Sequence, residues 1–275
     1  MRVSRRGWFQ ASLGAAMVAG AALTFASPQT TLIRRSKQYG GFRLDFEFNG
    51  RRAFLVQPPR EPIDNSKPWV WYAPTLAGQQ PDDRHEWLFA QLVEQGFAIA
   101  GVDVGGPSGA PQAGETFSQF REMLIAKYRM SQRPCLLAAD WGALFLYDWA
   151  SRHASEVRCI AGIRPLVNVE SDPRMAAQIA SAYELSAAEF QDRLAEYNPI
   201  DQLGALADQG VPILHLHGPG DTVVPAEPNS GEMARRYRAL GGAIEVVGLT
   251  GEGPEVWRSR ALLDFFVARG LVASD

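Results

Sequence analysis

The chain has 275 residues, of which 46% are hydrophobic, 21% charged and 10% aromatic. This is an ordinary globular composition, and the length is sufficient for a single domain with one sizeable core. The formal net charge is -3, and no block of Lys and Arg occurs beyond the N-terminus. These features exclude the basic patch with which nucleic-acid-binding proteins contact phosphates.

The first 26 residues have the pattern of an export signal. Arg5 and Arg6 are followed two and three positions later by aromatic residues, as in a twin-arginine motif. An uncharged run rich in Ala and Gly then leads to Thr24-Phe-Ala26, which places a small residue on each side of a cleavage site. We expect a twin-arginine-type signal peptide over 1–26, a folded domain over 27–275, and a periplasmic or secreted location. The alternative is an uncleaved N-terminal anchor, which would be the chain's only membrane contact.

Predicted strands and helices alternate along the rest of the chain. Asn49-Gly50 joins two runs of alternating apolar and polar residues, which predicts an antiparallel hairpin over 42–48 and 51–57. Buried strands are predicted over 69–73, 97–103, 134–139, 157–163, 211–217 and 243–247. Helices are predicted over 82–94, 115–130, 141–153, 231–240 and 254–269, with a mostly helical insert over about 165–207. This alternation predicts a mostly parallel, doubly wound α/β sheet, in which ligands bind at the carboxyl ends of the strands.

The stretch Pro134–Ala143 predicts a short apolar strand, a sharp turn and the start of a helix. Ala138 and Gly142 are small where the strand and the helix would cross closely. Asp140 is the residue that such a turn exposes. This is the pattern of a nucleophile elbow, with an acid at the nucleophile position.

From about Gly50 to the C-terminus the chain resembles the α/β-hydrolase superfamily, in particular its bacterial exported esterase-like or peptidase-like members. Besides the elbow, the matching pieces are Trp71–Leu76, His217–Pro225 and Gly251–Trp257. The resemblance implies the α/β-hydrolase fold with a short helical cap insert. It also implies a chain order of nucleophile, acid and base.

Two of the three catalytic positions depart from the family pattern. Asp140 stands where an esterase has Ser, and Pro254 stands where nearly every member has His. Only the acid position, Asp221, is retained. The resemblance further implies that the backbone N–H groups of Trp141 and of a residue near Leu76 form the oxyanion hole.

Asp140 also resembles the elbow carboxylate of haloalkane dehalogenases and epoxide hydrolases, which attacks carbon to form an ester that a His-activated water hydrolyses. The first step needs no base, because a carboxylate is ionised at neutral pH, but the second step does. Candidate substitute bases are His217, which ends a strand four residues before Asp221, and His85 in the first helix; Glu252 is a third. If these histidines are not bases, we expect His217 to be packed and hydrogen-bonded in the core and His85 to be a solvated residue on a helix.

Two cysteines, Cys135 and Cys159, each begin an apolar strand-like run, so neighbouring strands would bring them near each other. Buried free thiols are the favoured interpretation and a disulfide is the alternative. No spacing typical of metal ligands occurs, and no cofactor is expected.

We therefore expect an exported α/β-hydrolase-family protein with a degenerate triad, inactive or weak as a serine esterase, that binds a small molecule through the old pocket. The alternative is an active hydrolase of small esters, epoxides or haloalkanes with Asp140 as nucleophile and a non-standard base. A purely structural or interaction role is a third hypothesis. No nucleic-acid partner is expected.

Overall fold

The computed structural model describes residues 29–60, 67–73, 80–104, 111–249 and 254–271. Within these ranges nine strands form one sheet in the order β1-β2-β3-β5-β4-β6-β7-β8-β9. The strands are β1 Thr30–Gln38, β2 Gly41–Phe48, β3 Arg51–Gln57, β4 Trp69–Ala73, β5 Ala98–Val102, β6 Cys135–Ala139, β7 Cys159–Ile163, β8 Ile213–Leu216 and β9 Ile244–Val247. β1, β2, β3 and β5 pair antiparallel, whereas β5, β4 and β6 to β9 pair parallel. The predicted mostly parallel sheet is confirmed.

Helices cover both faces of the sheet. They are α1 Glu86–Glu94, α2 Pro111–Tyr128, α3 Gly142–Arg152, α4 Pro173–Ala182, α5 Ala187–Asp192, α6 Gly204–Asp208, α7 Glu232–Ala239 and α8 Arg260–Gly270. One buried apolar layer joins the sheet to α2, α3, α6 and α7, and a second joins it to α1 and α8. The chain is therefore doubly wound. None of the helices in the described ranges is long and apolar enough to cross a membrane.

One strand and the starts of two helices differ from the sequence-based expectation. β1, Thr30–Gln38, was not predicted, because most of its side chains are exposed and it lacks an apolar alternation. α2 begins at Pro111, a residue that suits the first turn of a helix. The last helix does not begin at Pro254: a 3₁₀ turn spans Pro254–Arg258, and Ser259 then caps α8 through Leu262 N–H.

The two cysteines lie opposite each other on β6 and β7. Both thiols are buried and free, as the favoured interpretation expected. Burial raises the pKa of the Cys159 thiol well above its ordinary value, so it is a poor nucleophile in the folded protein.

The predicted helical insert forms a cap beside the elbow. Its core is an apolar cluster, here called the cap cluster, made of Leu144, Leu166, Val169, Met175, Ile179, Ala180, Phe190 and Val224. Ser186 and Glu189 form a capping box at the start of α5. Since Leu144 belongs to α3 and Val224 to the loop after β8, the cap cluster ties the insert to both sides of the expected site.

The contact between α8 and the sheet can be tested at Gly270. A Cβ atom there would lie 2.3 Å from Phe97 Cε1 and 3.2 Å from Cys135 Sγ. We expect Gly270→Ala to lower the free energy of unfolding by about 1–3 kcal/mol, because the core is overpacked. In the matched control, Gly114→Ala in α2, the new Cβ meets nothing within 4 Å, so stability should rise by about 0.5–1 kcal/mol. Urea unfolding measures both, and a Gly270→Ala protein as stable as the parent would contradict this packing.

Candidate active site

Asp140 occupies the sharp turn between β6 and α3. Its φ of 46° lies in the left-handed region, which Asp tolerates better than most residues with a side chain. Its N–H donates to Ile163 O at 3.0 Å, and its carbonyl accepts from Leu166 N–H at 2.9 Å. These bonds on both sides hold the strained turn in place. The predicted strand, turn and helix are confirmed.

Arg164, the residue directly after β7, lies between the two acids of the site. Its Nε is 3.3 Å from Asp140 Oδ1 and 4.0 Å from Asp221 Oδ2. Its φ of 47° is also left-handed, and its N–H donates to Leu216 O at 2.8 Å. A guanidinium thus lies between the predicted nucleophile position, Asp140, and the predicted acid position, Asp221.

Asp221 is the most buried of these three side chains, with 4% of its side-chain surface exposed. Its Oδ1 accepts from Val223 N–H and Val224 N–H, both at 2.9 Å. Its Oδ2 is buried and has no hydrogen-bond partner in the described part of the chain. Two basic side chains lie within 4.0 Å of it, with His217 Nε2 at 3.8 Å and Arg164 Nε at 4.0 Å. This oxygen therefore keeps an unsatisfied acceptor next to the elbow.

His217 is the end of a buried chain of hydrogen bonds. Its Nε2 lies 2.7 Å from Val224 O, and its Nδ1 lies 2.7 Å from Ser230 Oγ. Ser230 Oγ is also 2.9 Å from His215 Nδ1, and His215 Nε2 is 2.7 Å from Tyr147 Oη. A carbonyl can only accept, so we assign the His217 proton to Nε2. The other protons then follow: Tyr147 donates to His215, His215 to Ser230, and Ser230 to His217.

This chain leaves His217 neutral and fully bonded. Burial lowers the pKa of His217 and lowers the pKa of His215 to about 3. The Nε2–H of His217 donates to Val224 O, and its Nδ1 accepts from the Ser230 hydroxyl. The bonds therefore favour the packed, hydrogen-bonded interpretation of His217, and its role as a substitute base stays a prediction.

His85 is buried, so the expected solvated helical His85 was wrong. Its ring lies against Trp257 with centroids 4.2 Å apart, a contact between distant parts of the chain. Nε2 is 3.0 Å from Tyr72 Oη, and Nδ1 accepts from Asp82 N–H at 3.1 Å. Desolvation lowers the pKa of His85. Both ring nitrogens of His85 thus make contacts within the buried layer that joins the sheet to α1 and α8.

The other predicted site positions are only partly described. Leu76 and Glu252 lie outside the described residues, and Pro254 is placed at the start of its 3₁₀ turn. Trp141 is the N-cap of α3, and its Nε1 is buried with no partner in the described ranges. The oxyanion-hole role of its backbone N–H stays a prediction. No three or more His, Cys, Asp or Glu side chains in these ranges are arranged to hold a metal ion.

Arg164 was not among the residues predicted from the sequence, although a signal for it exists. Asp140, Arg164 and His217 are each the first residue after a buried parallel strand, β6, β7 and β8. Such ends meet at one edge of a sheet. Applying that rule to every charged residue after a buried strand identifies Arg164.

No protein-family model and no curated protein sequence matches the chain. Solved structures do match it. An S-formylglutathione hydrolase from Agrobacterium tumefaciens has 14% sequence identity and a TM-score of 0.63, over 87% of this chain and 99% of that chain. Mycobacterium tuberculosis MPT51 has 13% identity and a TM-score of 0.61, over 90% of this chain and 100% of that chain. A putative dipeptidyl aminopeptidase IV from Bacteroides ovatus has 11% identity and a TM-score of 0.61, over 89% of this chain but only 36% of that chain.

At these identities the likeness defines the fold. Together with the nine-stranded, mostly parallel sheet and its flanking helices, it shows that this chain has the α/β-hydrolase fold. That fold was predicted from the sequence.

The buried histidines make stability depend on pH. Desolvation lowers the pKa of all four histidines of the chain; that of His215 falls from 6.5 to about 3. Between these two values the unfolded chain binds more protons than the folded one, so stability is present above pH 6.5 and is lost as the pH falls towards 3. His215 alone should remove about 1.4 kcal/mol per pH unit in this window.

Urea unfolding at pH 7 and pH 5 measures this loss. We expect His215 to account for about 2 kcal/mol between these two conditions. His215→Asn should flatten the slope of stability against pH, whatever its effect on the absolute level. An unfolding free energy that does not change between pH 7 and pH 5 would contradict the neutral, buried histidine chain.

Proposed function

We propose that this protein is an exported α/β-hydrolase-fold protein whose elbow site binds a small molecule and does not sustain hydrolysis. The observation that carries the proposal is the position of Arg164, with Nε 3.3 Å from Asp140 Oδ1 and 4.0 Å from Asp221 Oδ2. Export is supported by Arg5, Arg6 and the uncharged run to Ala26. A periplasmic or secreted location follows from it.

The first support is the lack of a working base in the described part of the site. A catalytic base must accept and release a proton near neutral pH. A guanidinium group such as that of Arg164 is not a proton acceptor in proteins and cannot take this role. His217 and His85 use both ring nitrogens in buried contacts, and the position of the family base holds Pro254. None of these residues can therefore act as the base that activates a water molecule.

The second support is the effect of Arg164 on Asp140. The side chains are about a quarter exposed, 24% and 22%, so solvent screens their attraction only in part. A carboxylate that attacks carbon loses its charge, and Asp140 would lose this ion pair at the same moment. The pair therefore stabilises the carboxylate relative to the ester and slows the attack.

Ligand binding is supported by buried polar atoms without partners. Asp221 Oδ2, 4.0 Å from Arg164 Nε, and Nε1 of Trp141, the residue after Asp140, have no hydrogen-bond partner in the described ranges. Each such atom costs about 1–3 kcal/mol. Unsatisfied groups of this kind in a folded protein call for an explanation, and a bound ligand supplies one.

One observation favours the alternative of an active hydrolase. The left-handed φ of Asp140 is retained, and it is the feature that exposes a nucleophile at an elbow. In this alternative Asp140 attacks a small ester, an epoxide or a haloalkane, and a non-standard base completes the turnover.

A hydrolase panel separates the two functions. The purified protein and Asp140→Asn are assayed side by side on small esters, epoxides and haloalkanes, with intact-mass measurement of each sample. We expect equal, background rates for the two proteins. Robust turnover that Asp140→Asn abolishes would contradict the proposal and support the alternative. An adduct on Asp140 without turnover would show that the nucleophile survives while the base is missing.

Restoring the triad tests the obstructing role of Arg164. The double variant Asp140→Ser, Pro254→His restores the family residues, but leaves the Arg164 guanidinium between position 140 and Asp221. We expect esterase activity to rise at least about 100-fold when Arg164→Asn is added; Asn tolerates the left-handed φ of this position. Full activity in the double variant would contradict the obstruction. Thermal denaturation of both variants verifies that they are folded.

A further inference from the structure

We infer that the outer end of the sheet docks on the surface of an anionic phospholipid bilayer. The docking surface, here called the β1–β2 surface, consists of Leu32, Arg35 and Lys37 of β1 with Phe42 and Leu44 of β2. It lies on the bilayer and does not span it. This contact is additional to the predicted N-terminal anchor, and it does not depend on the elbow site or on the proposed function.

The five side chains of the β1–β2 surface point to the same side of the sheet. Residues directly opposite each other in an antiparallel pair share a face. A register shift between Leu32 and Arg34 offsets the odd spacing of Leu32 and Arg35, so both belong to this face. The opposed pairs on it are Leu32 with Phe46, Arg35 with Leu44, and Lys37 with Phe42.

Apolar side chains at this end of the sheet are open to solvent. Leu32 is 49% exposed, Phe42 is 51% exposed, and Ile33, at the register shift, is 58% exposed. Half of the six exposed large apolar side chains in the described ranges therefore lie on these two neighbouring strands. The other three are Val223, Leu240 and Leu271. Apolar groups that are exposed together, in contrast to single ones, mark interaction sites.

The charges on this face of the three outer strands are all positive. Arg35 and Lys37 share it with Arg51 of β3. The acids of β2, Asp45 and Glu47, lie on the opposite face, and β1 and β3 contain no acid. The side chains of the three bases form no ion pair or hydrogen bond with any described residue. All three charges are thus available to a partner.

The helix that covers the rest of this face does not cancel them. α2 packs there through Phe120, which contacts Phe46 and Phe48. α2 contains two acids and two bases, and one of the bases, Arg121, pairs with Glu156. The remaining two acids and one base leave the three strand cations in excess. Because the whole chain has a net charge of -3, this positive surface orients the protein towards a negative partner.

An anionic bilayer matches both properties of the β1–β2 surface. Its head groups attract Lys and Arg, and exposed apolar side chains enter the boundary between head groups and acyl chains. The position in the chain also fits. The charge-free run from Gly7 to Ile33 continues into β1 and is followed at once by Arg34 and Arg35. Within the domain, β1 is therefore the element nearest in sequence to the predicted signal peptide.

A second copy of this chain fits less well. Pairing of two β1 edges would bring Arg34, Arg35 and Lys37 close to the same residues of the other copy, and like charges opposite each other destabilise a strand pair. Charges and a bulge are features by which edge strands avoid such pairing. An acidic protein is a competing partner that the following test separates from a bilayer.

Vesicle co-sedimentation tests the inference. The protein is purified from the soluble fraction, and intact mass establishes its N-terminus. It is then mixed with vesicles of phosphatidylcholine alone or of equal parts of phosphatidylglycerol and phosphatidylcholine. We expect at least about tenfold tighter binding to the anionic vesicles. The preference should disappear at high salt, because exposed charges are screened.

Variants of the β1–β2 surface separate its two contributions. The double variant Arg35→Gln, Lys37→Gln should weaken binding to the anionic vesicles about 25-fold, or about fivefold for each charge. Phe42→Ser should weaken it at least about fivefold. The matched controls are Arg258→Gln, at an exposed base of the last 3₁₀ turn, and Leu240→Ser, at an exposed apolar residue. Neither should change binding, and thermal denaturation verifies that every variant is folded.

Three results would overturn the inference. The first is equal affinity for the two kinds of vesicle, or no binding to either. The second is unchanged binding by the double charge variant, which would assign the contact to another part of the chain, such as an uncleaved leader. The third is a dimer, measured by light scattering, that Phe42→Ser dissociates, because the surface would then join two copies. None of these results bears on the hydrolase panel, which tests the proposed function separately.

Discussion

The contact of Arg164 with Asp140 and Asp221 is the constraint on which the rest of the site depends. Two carboxylates held near each other at a partly buried sheet edge repel unless a cation lies between them. A catalytic triad meets this need with an imidazole that gains and loses its proton. Here the cation is a guanidinium, whose charge is permanent. In the proposed function, the same contact stabilises the elbow and removes the proton transfer for which the elbow is normally used.

The buried polar chain from Tyr147 to Val224 explains why the acid loop keeps its shape. Ser230 connects His215 with His217, and His217 holds Val224 O. Asp221 Oδ1 binds Val224 N–H in return, so the loop is fixed from both sides. Fully satisfied buried networks of this kind specify one arrangement of the backbone. The position of Asp221 is thus set by the fold and does not need a catalytic partner.

Most of the fold was predictable, and the unpredicted parts have physical reasons. The elbow and the buried strands follow from apolar runs, small residues and a turn at Asp140. β1 lacks such a pattern, because an exposed edge strand does not need to bury one face. The burial of His85 depends on Trp257, a long-range contact that local helical periodicity does not contain. Arg164 was not predicted, because the residue that follows β7 is not one of the family's triad positions.

A double-mutant cycle on the Asp140–Arg164 pair tests the central claim most directly. The unfolding free energies of the parent, Asp140→Asn, Arg164→Gln and the double variant are measured in urea at low salt and pH 7. A pair that organises the site should show a coupling energy of at least about 1 kcal/mol. Additive effects, with a coupling near zero, would contradict the claim that this ion pair organises the site.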